Sequence, residues 1–151
     1  HMLGNAFVKD TYGAPFITHA KVRSELSDAL AWGPMMGVRP APSPDPDQLV
    51  EEGDVVSFGN TTLEVLFTPG HSEGHVSFFH RESGHLFSGD VLFAGSIGRT
   101  DLPGGDFPVL MRSIFTKLLP LGDAVVVHSG HGPDTSIGRE RRSNPFLQAP
   151  A

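Results

Sequence analysis

The chain has 151 residues, with 17 Asp and Glu against 11 Lys and Arg, a net charge of -6 and no cysteine. That length suits one core burying roughly two-thirds of the unfolded surface. The acidic balance argues against a nucleic-acid binder, and the lack of thiols excludes disulfides, thiolate metal sites and cysteine nucleophiles. Eight histidines favour a metal site built from imidazole and carboxylate. No apolar run approaches the ~18 residues of a membrane span. No leader opens the chain, so a cytoplasmic location with no membrane partner is expected. His1 precedes Met2, so the start is either a cloning remnant or the interior of a longer protein.

From the N-terminus, Leu3, Phe7, Val8 and Tyr12 recur at helical spacing and stop at Gly13, which predicts a helix. Ala14 to Thr18 reads as a short buried strand, and Ala20 to Trp32 as a second helix closed by Gly33-Pro34. Residues 39–47 are proline-dense and predict a surface loop. The period then changes to two. Val55 to Phe58 and Thr61 to Phe67 form a hairpin around Gly59-Asn60, and His75 to Phe79 with His85 to Ser88 form another around Ser83-Gly84. Phe107 to Leu119 predicts a strongly amphipathic helix, Ala124 to Val127 a buried strand, and Thr135 to Phe146 a charged helix at best. The run Arg139-Glu140-Arg141-Arg142 reads as a solvated helix face.

Three strand-like runs end abruptly in a possible ligand beside glycine: His71 after Gly70, Asp90 after Gly89, and His131 between Gly130 and Gly132. Glycine lets the backbone turn sharply there, so short side chains from distant loops can reach one point. Two imidazoles and a carboxylate suit a hard-to-borderline divalent cation. Taken singly, each is simply a polar turn residue. The segment Gly70-His71-Ser72-Glu73-Gly74 also matches G-x-S-x-G, the elbow that carries a serine nucleophile, with Asp90 and His131 following in the right order. That elbow requires a helix after the serine, and the residues after Gly74 have a strand period instead.

Together, Thr68-Pro69-Gly70-His71-Ser72-Glu73-Gly74-His75, Phe87-Ser88-Gly89-Asp90 and Ser129-Gly130-His131-Gly132-Pro133 resemble the last three metal motifs of the metallo-β-lactamase-fold hydrolases, in the branch similar to type II glyoxalase. The segments 95–105 and 137–146 are similar to that branch as well. The resemblance implies an α+β fold, a four-layer αββα sandwich truncated at its N-terminus, with residues 1–151 as one domain forming its C-terminal portion. It implies that His71 binds a first metal, that Asp90 bridges two metals as the central catalytic carboxylate, and that His131 binds the second. The H-x-H-x-D-H motif of the family is absent. A Gly-Asn pair follows that motif in the family and Gly4-Asn5 stands here, so His1 is either its last ligand or a vector-derived residue.

The implied chemistry is hydrolysis of a thioester, ester or lactone by metal-activated water, with divalent metal as cofactor: zinc, two ions in the intact parent, or iron. Three donors are too few for two metals, so the chain alone is expected to be inactive. The missing sheet is expected to leave apolar strand faces that associate with the absent N-terminal segment or a second copy. His75 is expected to orient Asp90 or His71. Arg99 and Asp101 either contact substrate or pair to hold their loop. The competing readings are an iron persulfide dioxygenase with a similar Gly98-Arg99-Thr100-Asp101 loop, a serine hydrolase through Ser72, and a non-catalytic truncated module.

Overall fold

The computed structural model describes residues 2–37 and 41–148. The chain divides into two compact units, residues 1–50 and 51–151.

In the first unit, helix α1 (Asn5–Tyr12) follows a single tight turn and stops at Gly13, whose left-handed backbone returns its N–H to the Lys9 carbonyl. Strand β1 is shorter than the apolar run suggests. Only Ile17–Thr18 pair, in parallel with β2 (Gln48–Leu49). Helix α2 (Val22–Trp32) lies between them and runs on into a tight turn over Gly33–Met36. Asp47, at the end of the proline-dense loop, fixes this arrangement. Its carboxylate accepts from Lys9 Nζ at 2.6 and 2.7 Å and from the Phe16 N–H at 2.7 Å.

The second unit is built on a six-stranded sheet. Strands β3 (Val55–Phe58) and β4 (Thr61–Phe67) form the first expected hairpin, and β5 (Val76–His80) and β6 (His85–Gly89) the second. A small separate hairpin, β7 (Leu92–Phe93) with β8 (Ser96–Ile97), follows. Helix α3 (Phe107–Ser113) is capped by Asp106, whose carboxylate accepts the Val109 N–H, and it continues as a π turn over Ile114–Leu118. Strand β9 (Val126–Ser129), β10 (Thr135–Ser136), α4 (Ile137–Ser143) and α5 (Pro145–Gln148) complete the unit.

The strand order is β10-β9-β6-β5-β4-β3, antiparallel except where β9 lies parallel to β6. A parallel neighbour needs a long crossover, and residues 90–125 supply it with α3 as its helix. One sheet face carries Leu66, Phe79, Leu86 and Val127. Leu110, Ile114 and Leu118, spaced by four along one helical stripe, pack on it with Ile137 from α4. The run 139–142 corrects the expectation of a solvated face. Its three arginines reach solvent, but Glu140 is fully buried.

Candidate metal centre

Strands β4, β6 and β9 run in the same direction, because β5 is antiparallel to both β4 and β6 while β9 is parallel to β6. Their C-terminal ends therefore share one edge of the sheet. His71 leaves the loop after β4, Asp90 directly follows β6, and His131 lies two residues beyond β9. The Gly130 N–H donates to the Gly89 carbonyl at 2.9 Å, which ties the last two loops together.

The three expected donors meet. His71 Nε2 stands 3.5 Å from Asp90 Oδ2, and His131 Nε2 stands 3.4 Å from the same oxygen. Charge-assisted N–H···O bonds close to roughly 2.7–2.9 Å. Two ligands sharing a tetrahedral zinc stand about 3.4 Å apart, given metal–ligand bonds of about 2.0–2.1 Å. Both histidine nitrogens thus approach one carboxylate oxygen without closing to hydrogen-bond length. Among the described residues no group of three or more His, Asp or Glu side chains is arranged so that it could hold a metal ion. The donor types suit a divalent cation, but their arrangement here is not that of a formed metal site. His1, the fourth expected ligand, lies outside the described residues.

Each donor is held by a specific neighbour. His71 Nδ1 lies 2.8 Å from the Arg99 carbonyl. A carbonyl only accepts, so Nδ1 carries a proton and donates to it, which orients Nε2 toward Asp90. His131 lies edge-on to the Phe93 ring, with centroids 5.9 Å apart. Its side chain is 65% exposed, whereas that of Asp90 is 10% exposed, so the centre opens to solvent on the His131 side. Gly130 has no room for a side chain. A Cβ there would stand 2.1 Å from Asp90 Oδ1.

His75 holds Asp90 through the backbone. Its Nε2 accepts the Asp90 N–H at 3.1 Å. Its Nδ1 then carries the proton and donates to Thr68 Oγ1 at 3.0 Å. That hydroxyl donates to Ser77 Oγ, which donates to the Ser88 carbonyl. Burial, reinforced by His71, pushes the His75 imidazole down to about 4 despite the opposing Asp90 charge, so it is the neutral acceptor this network needs. The ring sits where a Gly89 Cβ would be, 2.6 Å from it, and Gly89 has φ +53°, so only glycine suits this bulge in β6.

The structure brings His71, Asp90 and His131 together and sets other sequence candidates apart. Ser72 lies in a bend, and β5 rather than a helix follows it, so the elbow geometry is not formed. Arg99 pairs with Asp101 through two bonds of 2.8 and 2.7 Å, the loop-holding alternative. His19, His80 and His85 are half-buried. His85 Nδ1 lies 2.7 Å from His128 Nε2, and His128 Nδ1 lies 2.8 Å from Asp134.

A family model described as the metallo-beta-lactamase superfamily matches residues 1–131. The chain belongs to the metallo-β-lactamase superfamily. Among superfamily relatives, the chain is similar to the hydroxyacylglutathione hydrolase GloC of Haemophilus influenzae, 50% identical over 99 residues. That match covers 66% of this chain and 47% of GloC. The probable metallo-hydrolase YqgX of Bacillus subtilis is 42% identical over 142 residues, covering 93% of this chain and 67% of YqgX. The chain thus spans about half of GloC and about two-thirds of YqgX.

Two solved structures share the metallo-β-lactamase fold. The BLEG-1 B3 metallo-beta-lactamase superposes with a TM-score of 0.86 at 44% identity, covering 96% of this chain and 70% of that one. TTHA1623 in a di-iron-bound form gives 0.88 at 39% identity, covering 97% and 72%. No described helix is long and apolar enough to cross a membrane.

Proposed function

We propose that this chain carries part of a metal-dependent hydrolase centre for small thioester, ester or lactone substrates. The observation that carries the reading is the approach of His71 and His131 to one oxygen of Asp90, at 3.5 and 3.4 Å. The name of GloC supports the thioester class, and the di-iron form of TTHA1623 supports iron beside zinc as the cation.

His71 Nε2, Asp90 Oδ2 and His131 Nε2 would hold the cation. When bound, it supplies Lewis acidity toward a carbonyl oxygen and lowers the pKa of water toward about 7. The chain's own residues do the rest. Asp90 sets the meeting point, His75 fixes its backbone, the Arg99 carbonyl fixes the His71 tautomer, and exposed His131 faces the side from which substrate arrives. Three donors do not complete two sites, so this chain by itself turns over slowly at best.

Metal analysis after loading with zinc or iron, followed by assay on a hydroxyacylglutathione thioester, an aryl ester and a lactone, tests the reading. Metal retention with weak or no turnover is expected. Fast stoichiometric turnover overturns the inactivity, and oxygen uptake with iron favours the dioxygenase. Covalent labelling of Ser72 by a fluorophosphonate contradicts the metal reading. The exposed Phe58 and Phe87 on the second unit's sheet support association with a further protein segment or a second copy.

A further inference from the structure

Glu140 is a fully buried carboxylate in a helix whose arginines reach solvent. Such a charge persists only when its oxygens are well hydrogen-bonded. Glu140 Oε2 accepts from the Gly95 N–H at 2.8 Å and from Asn144 Nδ2 at 2.9 Å, and its Oε1 accepts from the Thr135 hydroxyl. Buried Asn144 donates again, to the Ser96 carbonyl at 2.9 Å. Gly95 lies in the Ala94-Gly95 turn of the β7–β8 hairpin and Ser96 opens β8, so α4 and the residue after it clamp that end of the hairpin by an N–H and a C=O. Two cross-strand pairs make a hairpin of marginal stability, which leaves its placement dependent on such anchors.

The same hairpin, with the residues that flank it, neighbours all three expected metal donors. Asp90 leads into it. The Gly98 N–H closes its base on the Val91 carbonyl at 3.1 Å. Phe93, on its first strand, lies edge-on to His131. Arg99, just past its end, holds His71 Nδ1 by its carbonyl. We infer that Glu140 is a positioning residue: by clamping the hairpin tip it sets the mutual spacing of His71, Asp90 and His131. The inference rests on the metal reading of that centre, but the anchoring itself is measurable without metal.

The chemistry distinguishes two replacements. In Glu140→Gln, the amide oxygen can take the Gly95 and Asn144 donors while the amide nitrogen donates to Thr135 Oγ1, so the clamp survives. Glu140→Leu keeps the bulk and removes every acceptor. The experiment compares these variants of the 151-residue chain by zinc affinity, by amide exchange at Gly98 and by the 15N shifts of the His71 imidazole. Glu140→Leu is expected to weaken zinc binding by about tenfold or more, the scale of lost outer support in metal sites. It also speeds Gly98 exchange and blurs the His71 Nδ1–H tautomer. Glu140→Gln stays near wild type, and Ile114→Val, a core change remote from the clamp, keeps wild-type affinity.

Unchanged affinity, Gly98 exchange and imidazole shifts in Glu140→Leu overturn the inference, as does equal weakening by Ile114→Val. If Glu140→Leu does not fold, Asn144→Ala, which frees the Ser96 carbonyl and removes one donor to Glu140 Oε2 and the acceptor of the Phe146 N–H, decides by the same readouts. A wild-type chain that binds no zinc overturns the metal reading, while exchange and imidazole shifts still decide the clamp.

Discussion

At the scale of single residues, the centre depends on where bulk is forbidden and on which atom holds each proton. Gly130→Ala places a methyl carbon against the Asp90 carboxylate, only 2.1 Å from Oδ1. Overpacking of this kind costs about 1–3 kcal/mol, and here the push on Oδ1 turns the carboxylate that carries the shared Oδ2. Isothermal titration is expected to show zinc affinity falling by far more than the melting temperature does. Equal affinity in this variant contradicts the close approach. Asp101 gives a pH test in the neighbouring loop. The Arg99 guanidinium, bonded to both its oxygens, holds its carboxyl at about 2, below the usual 3.8. Its folded pKa is lowered, so the pair's contribution is present above the ordinary carboxylate range and is lost as pH falls through about 2. A carboxyl 13C titration is expected to show that low midpoint, and Arg99→Gln returns it toward 3.8; an identical midpoint in the variant removes the ion pair from the account.

At the scale of elements, legibility followed length and locality. The hairpins of β3–β4 and β5–β6 show a plain period of two and strong turn residues, so their spans are readable to within a residue. The β7–β8 hairpin has two residues per strand, too few for any period to register, yet it and its flanking residues lie beside all three donors. Glu140 was hidden for a different reason. A charged residue flanked by arginines has the local pattern of a solvated helix, and partners outside that run, Gly95, Thr135 and Asn144, make its burial possible. The α3 stripe was readable because Leu110 and Ile114 repeat at helical spacing, although the π turn after Ser113 was not. Ile114→Ala is expected to cost about 2–5 kcal/mol by urea denaturation, as cavities in close-packed cores do. A loss below about 1 kcal/mol contradicts its place in the core.

At the scale of the whole molecule, the convergence of His71, Asp90 and His131 follows from strand order, which no local pattern encodes. The sequence shows three glycine-flanked strand ends; the β5 reversal and the parallel β6–β9 pair put those ends on one edge. The family motifs anticipated that grouping because their order along the chain mirrors it. The exposed aromatic residues lead to a further expectation. Phe58 and Phe87 lie on the sheet face opposite α3, and sedimentation equilibrium is expected to show association that Phe87→Ser weakens. A strictly monomeric wild-type chain at high concentration argues against it.

The most direct test is anomalous diffraction from crystals of the zinc-loaded chain. The account predicts a peak about 2.0–2.2 Å from His71 Nε2, Asp90 Oδ2 and His131 Nε2 together. A cation seated elsewhere, such as on the His85–His128 pair, with those three side chains left uncoordinated, would contradict it.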